Sequence, residues 1–115
     1  MMLADTVSKF QPTIKEKIRQ RRSQMLVHSY LYYIEDTPII SDDTWQRWAN
    51  ELVELQRENP FDCNIDFFDE EFSDWTGDTG FHLPLKNPKV KEKAIQIFKL
   101  NCLYLFFAKH KFPFL

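Results

Sequence analysis

Apolar residues recur at three- and four-residue steps in three stretches of the chain, and that period predicts three helices. The first stripe is Ile14, Ile18, Met25, Leu26, Ser29 and Tyr33, preceded by Pro12, whose missing amide suits a first helical turn. A helix from about Pro12 to Glu35 is expected, with Lys15, Lys17, Arg19 and Arg22 off the stripe on its solvated face. Asp36-Thr37-Pro38 ends it, because proline disfavours helical geometry at the residue before it. Ser41 is placed to cap a second helix, and Asp42 and Asp43 then sit in its first turn, where carboxylates meet exposed amides and the positive end of the helix dipole. Trp45, Trp48, Ala49, Leu52 and Leu55 form its apolar face until Asn59-Pro60 stops it. Two helices joined by so short a turn make an antiparallel hairpin over residues 12–60.

Between 61 and 86 the period is lost. Phe61, Ile65, Phe67, Phe68, Phe72, Trp75 and Phe81 are scattered among acids, and both glycines of the chain fall in a turn-like Thr-Gly-Asp-Thr-Gly, at Gly77 and Gly80. A disordered loop is normally poor in aromatic residues, so the segment is expected to be ordered, irregular and pinned to the helices. Asn87-Pro88 then starts a third helix, residues 87–110, through Val90, Ala94, Ile97, Asn101 and Leu105. Its second half, Leu100 to Ala108, is apolar nearly all round, which fits either the central core element or a helix covered by a partner. The fold class is mainly α, one domain over residues 1–115.

Composition supports one ordinary core, since 115 residues at 43% hydrophobic content suffice for a single domain and 11 Phe add large buried areas. The net charge of -2 hides segregation. Residues 9–22 carry six Lys or Arg against Glu16, residues 62–78 carry seven acids and no base, and residues 86–111 carry seven Lys against Glu92. A slightly acidic total with an acidic run argues against nucleic acid as a partner. Cys63 and Cys102 lack paired spacing and are expected to be reduced thiols. Met1 to Phe10 lacks the pattern of a secretory leader, and Leu100 to Ala108 is far short of the ~20 residues that span a bilayer, so a soluble cytoplasmic protein is expected.

Tyr30 to Trp45 reads Y-L-Y-Y-I-E-D-T-P-I-I-S-D-D-T-W. This resembles the amino-terminal helical domain of bacterial NAD-dependent DNA ligases, which typically reads Y-x-Y-[YH]-x-x-D-x-P-x-[IV]-[SP]-D-x-x-Y-D, and the likeness extends loosely from Ile18 to Pro60. In that family the hairpin folds over the nicotinamide mononucleotide half of NAD, with rings stacking on the nicotinamide and carboxylates binding ribose hydroxyls or the amide. The resemblance implies cofactor-binding roles for Tyr32, Tyr33, Asp42 and Trp45. Two positions depart from the family, Trp45 replacing a Tyr and Gln46 replacing an Asp, which removes a phenol hydroxyl and a charge. An ordinary aromatic core accounts for the same residues, with Tyr30 and Tyr33 against Trp45 and Trp48.

Catalysis is not expected. The Lys-x-Asp-Gly motif of ligase adenylylation does not occur, Gly77 and Gly80 lack phosphate-loop spacing, and His28, His82 and His110 lack metal-ligand spacing. Asp69-Glu70-Glu71 lacks the alternation of a calcium loop. The first functional expectation is therefore a noncatalytic relative of the ligase hairpin, of the kind the resemblance implies for bacteriophage or prophage genomes, acting in the host cytoplasm by binding and modulating a host protein. Asp69, Glu70, Glu71, Phe72, Asp74 and Trp75 are the expected partner surface, as acids interleaved with aromatic anchors. No cofactor is required by that reading. The alternative is a module that binds NAD or nicotinamide mononucleotide through the four hairpin residues.

Overall fold

A computed structural model describes residues 11–110 of the chain. The reading of Met1 to Phe10, and Lys9 of the basic run, lie outside the described residues. Helix α1 spans Ile14–Tyr33 and α2 spans Asp42–Glu58; a 3-10 turn covers Pro60–Cys63, a single helical turn, α3, covers Asp69–Phe72, and α4 spans Pro88–His110. The fold is mainly helical, with no strand among the described residues.

Local chemistry explains the helix ends. Thr13, not Pro12, starts α1: its side chain accepts from the Glu16 amide while the Glu16 carboxylate accepts from the Thr13 amide, a reciprocal capping box. These bonds also hold the Glu16 pKa below the usual carboxylate range. Asp36 takes up the turn at φ 53, a left-handed conformation that Asp tolerates better than most residues. Ser41 caps α2 as its position predicts, accepting from the Thr44 amide at 3.1 Å.

The core centres on α1. Ile18, Met25, Leu26, Ser29, Tyr30 and Leu31 are buried there, facing Ala49 and Leu52 of α2 on one side and Val90 and Ala94 of α4 on the other. The apolar half of α4 is thus not the central element. Its first half packs down through Val90, Ala94, Ile97 and Phe98, whereas Leu103, Tyr104 and Leu105 are all at least half exposed. No helix among the described residues is long and apolar enough to cross a membrane.

Arg22 overturns its assignment to a solvated face. It is 1% exposed, and its guanidinium donates to Gln56 Oε1 at 2.9 Å, Phe67 O at 2.7 Å, Asp69 Oδ1 at 2.6 Å and Cys63 O at 3.1 Å. The physical reason is spacing. Position 22 lies four residues after Ile18 and three before Met25, on the buried stripe itself. Asp69 completes the joint, since its carboxylate also accepts from the amides of Ile65, Asp66 and Phe67. Burial alone would raise the Asp69 pKa, but these bonds and the Arg22 contact outweigh it and hold the carboxyl below its usual range. Together they fix a tight bend in which Asp66 and Phe68 have φ of 54 and 55. Arg19 adds a cation-π contact 4.0 Å above the Phe67 ring.

Candidate functional site

At the connected end of the hairpin the last turn of α1 and the first turn of α2 meet across the Asp36 turn. A cavity of about 200 Å³ lies there. Tyr32 and Tyr33 line it from α1, Asp42, Trp45 and Gln46 from α2, and Pro38, Ile40 and Ser41 from the connection. All four residues expected to contact a cofactor, Tyr32, Tyr33, Asp42 and Trp45, therefore share one wall system. Tyr32 and Tyr33 are 49% and 38% exposed, far from the core burial that an aromatic-core account requires of Tyr33. Tyr30 does take the core role, 3% exposed with its hydroxyl bonded to Glu35.

A strap from Trp75 to Phe81 closes the cavity, with Asp78 and Thr79 on its lining. Its attachments explain why Thr-Gly-Asp-Thr-Gly stands where it does. Gln46 Nε2 donates to Gly77 O at 3.1 Å, Tyr33 and Thr79 share a hydroxyl hydrogen bond of 2.9 Å, and Trp75 Nε1 donates to Thr79 O at 2.8 Å. Phe81 packs edge-on against Tyr33, and Trp75 edge-on against Trp45. Trp45 itself donates from Nε1 to the buried Ser29 hydroxyl at 3.2 Å. The indole therefore keeps a polar anchor although it lacks the phenol hydroxyl of the family position.

His28 also lines the cavity and was not singled out from sequence as a site residue, although it stands one helical turn before Tyr32 on the same face. It is 8% exposed and its buried Nδ1 has no hydrogen-bond partner. Burial lowers its pKa from 6.5 to about 4, so the imidazole is neutral at physiological pH. Because the folded pKa lies below the unfolded value, the unfolded chain takes up the proton first as the pH falls. Stability attributable to His28 is full above pH 6.5, declines between 6.5 and 4, and levels off below. The loss should approach ~3 kcal/mol. Melting temperatures across that window should fall more steeply for the wild type than for His28→Phe; parallel curves would contradict the assignment.

The expected partner surface divides. Phe72 is fully buried under Trp75, with Arg22 close to its ring, and Asp69 is held by Arg22 and three amides, so neither is presented outward. Trp75 is half-buried against Phe72 and Trp45. Glu70, Glu71 and Asp74 remain exposed. Cys63 and Cys102 are free thiols, and burial raises the Cys63 pKa. Among the described residues no group of three or more His, Cys, Asp or Glu could hold a metal ion. Two larger grooves, of about 710 and 1520 Å³, flank α1 and are lined by charges of both signs, the larger also by His28, Phe67 and Phe68.

The hairpin coincides with a known domain. Residues 11–66 match the family of DNA ligase-like, N-terminal NAD+-binding domains. The resemblance carried by Tyr30 to Trp45 is thereby shown. Among relatives, a DNA ligase of Bacteroides fragilis is 44% identical over 48 residues, which are 42% of this chain and 7% of the ligase. A DNA ligase of Pseudothermotoga lettingae is 40% identical over 47 residues, 41% of this chain and 7% of the ligase. One of Stutzerimonas stutzeri is 40% identical over 48 residues, 42% of this chain and 6% of the ligase. The chain thus spans less than a tenth of the length of these curated relatives. No solved structure matches it. The strap, residues 75–81, lies beyond the ligase-like segment.

Proposed function

We propose that the hairpin cavity binds the nicotinamide end of NAD, nicotinamide mononucleotide or a related nicotinamide compound. One observation carries this reading: Tyr32, Tyr33, Asp42 and Trp45, the positions that match ligand contacts in the ligase domain, border a single cavity instead of a closed core. Ring faces and one carboxylate are what a planar, positively charged pyridinium needs. The NAD+-binding description of the matching family supports the same reading. Binding without chemistry is the proposed activity, since the 115 residues hold no Lys-x-Asp-Gly. Calorimetric titration with nicotinamide riboside, nicotinamide mononucleotide and NAD tests it. At least one compound should bind, and its heat should vanish in Tyr33→Ala and Asp42→Ala while both variants melt as folded proteins. Absence of binding by all three would overturn the proposal.

A second reading has its own observation. Glu70, Glu71 and Asp74 are exposed on one short segment, and a basic protein surface would be steered to them. A host-protein modulator of phage origin would act through these three acids and not through Asp69 or Phe72. Charge reversal at all three should slow association with such a partner without lowering the melting temperature.

A further inference from the structure

Gln46 departs from the ligase pattern, and the strap shows what its amide does. An Asp at this position has no N–H, so it could not donate to Gly77 O as Gln46 does at 3.1 Å, and two acceptors would be opposed. The donated bond seats Gly77, which takes φ 83, and the next residue, Asp78, then stands on the cavity wall. A carboxylate is therefore lost from α2 and another is supplied by the strap. Asp42 and Asp78 are both exposed at the rim.

The charge of the wall is one-sided. It carries these two carboxylates and no Lys or Arg. Arg47, the neighbour of Gln46, lines the groove on the other side of the hairpin with Arg21 and Glu51. His28 adds no positive charge, because burial holds it neutral, and its buried Nδ1 has no hydrogen-bond partner. Rings plus carboxylates attract a cation, whereas a phosphate would meet like charge with no countercharge. At about 200 Å³ the cavity is also smaller than the ~300 Å³ at which pockets for whole drug-sized ligands begin.

We infer that the cavity selects a phosphate-free, N-substituted pyridinium nucleoside over its phosphorylated forms, with Asp78 of the strap as a ligand-binding carboxylate paired to the cationic ring beside Asp42. This rests on the nicotinamide-binding reading above and adds a substrate class to it. The discrimination follows from the electrostatics of the wall. Asp78 contributes attraction to the ring and repulsion to the phosphate at once.

The test titrates the full chain at low salt with nicotinamide riboside, nicotinamide mononucleotide and neutral nicotinamide. Riboside should bind at least tenfold more tightly than mononucleotide, with the gap narrowing as salt is added. Asp78→Asn should weaken riboside binding about three- to fivefold while leaving nicotinamide unchanged, a split that a merely structural role would not produce. Asp78→Lys should reverse the order of riboside and mononucleotide. Mononucleotide binding equal to or tighter than riboside, or riboside binding unchanged in Asp78→Asn, overturns the inference and leaves the nicotinamide-binding reading standing. If none of the compounds binds the folded wild type and NAD also fails to bind, both fall.

Discussion

Arg22→Met should lower the unfolding free energy by about 2–4 kcal/mol, because a buried guanidinium is removed and the acceptors it serves lose its bonds, at ~1–3 kcal/mol for each buried acceptor left unpaired. The guanidinium is 1% exposed and serves four acceptors, on Gln56, Cys63, Phe67 and Asp69. Methionine fills the volume but donates nothing, so the carbonyls of Cys63 and Phe67 lose their Arg22 bonds. Arg22→Lys separates charge from geometry. An ammonium keeps the attraction to Asp69 but cannot span four acceptors with a rigid fork, and it should recover less than half of the loss. Denaturant melts give the magnitudes, and hydrogen exchange gives the location: the amides of Ile65, Asp66 and Phe67, which donate to Asp69, should lose protection ahead of those in α2. An Arg22→Lys protein as stable as the wild type would show that charge alone holds this joint. By contrast Arg57, paired to Glu54 on the exposed face of α2, should be dispensable.

The hairpin was legible because its determinants are local. Pro38, Ser41 and Asn59 stand within a few residues of the ends they set, and the stripes of α1 and α2 repeat at helical period, whereas the Thr13 cap is seen only in the structure. For Arg22, charge and spacing point opposite ways, and spacing is the one that holds. Counting four from Ile18 and three back from Met25 places it on the buried face, and only its charge argued otherwise. The acidic segment offered no such signal. Asp69 differs from Glu70 and Glu71 through a contact with Arg22 across 47 residues, and Phe72 is buried by packing that no spacing between 61 and 86 announces. The cavity was half legible in the same way. Its α1 and α2 residues follow from motif and register, whereas Asp78 and Thr79 reach it through bonds spanning 31 and 46 residues. A run that reads as a simple turn, Thr-Gly-Asp-Thr-Gly, is instead the strap that closes the site.

That strap depends on Gly80, and Gly80→Ala is expected to cost about 1–3 kcal/mol, the range for forcing one methyl into a filled core. A Cβ at this position would lie 2.0 Å from Ser29 Oγ, 2.8 Å from Ser29 Cβ and 3.2 Å from Trp45 Cζ2. Rotating the Ser29 hydroxyl away would relieve only the first contact and would break its bond from Trp45 Nε1. Ser29 is fully buried in the middle of α1, so the helix cannot yield either. The strap must move, carrying Asp78 and Thr79 off the cavity wall. Ser29→Gly removes both offending atoms at ~1 kcal/mol for glycine inside a helix, which sets up a double-mutant cycle. Gly80→Ala in the Ser29→Gly background should lose much less stability than in the wild type, because the clash it creates is with Ser29. A quenching readout separates strap from core: the hydroxyl bond between Tyr33 and Thr79 and the edge contact of Phe81 should weaken in Gly80→Ala alone, exposing Tyr33 and raising the fluorescence sensitivity of Trp75 to quencher. A Gly80→Ala protein that melts with the wild type and keeps Trp75 protected would show that the approach of the strap to Ser29 is looser than 2.0 Å implies, and the closure of the site would need another cause.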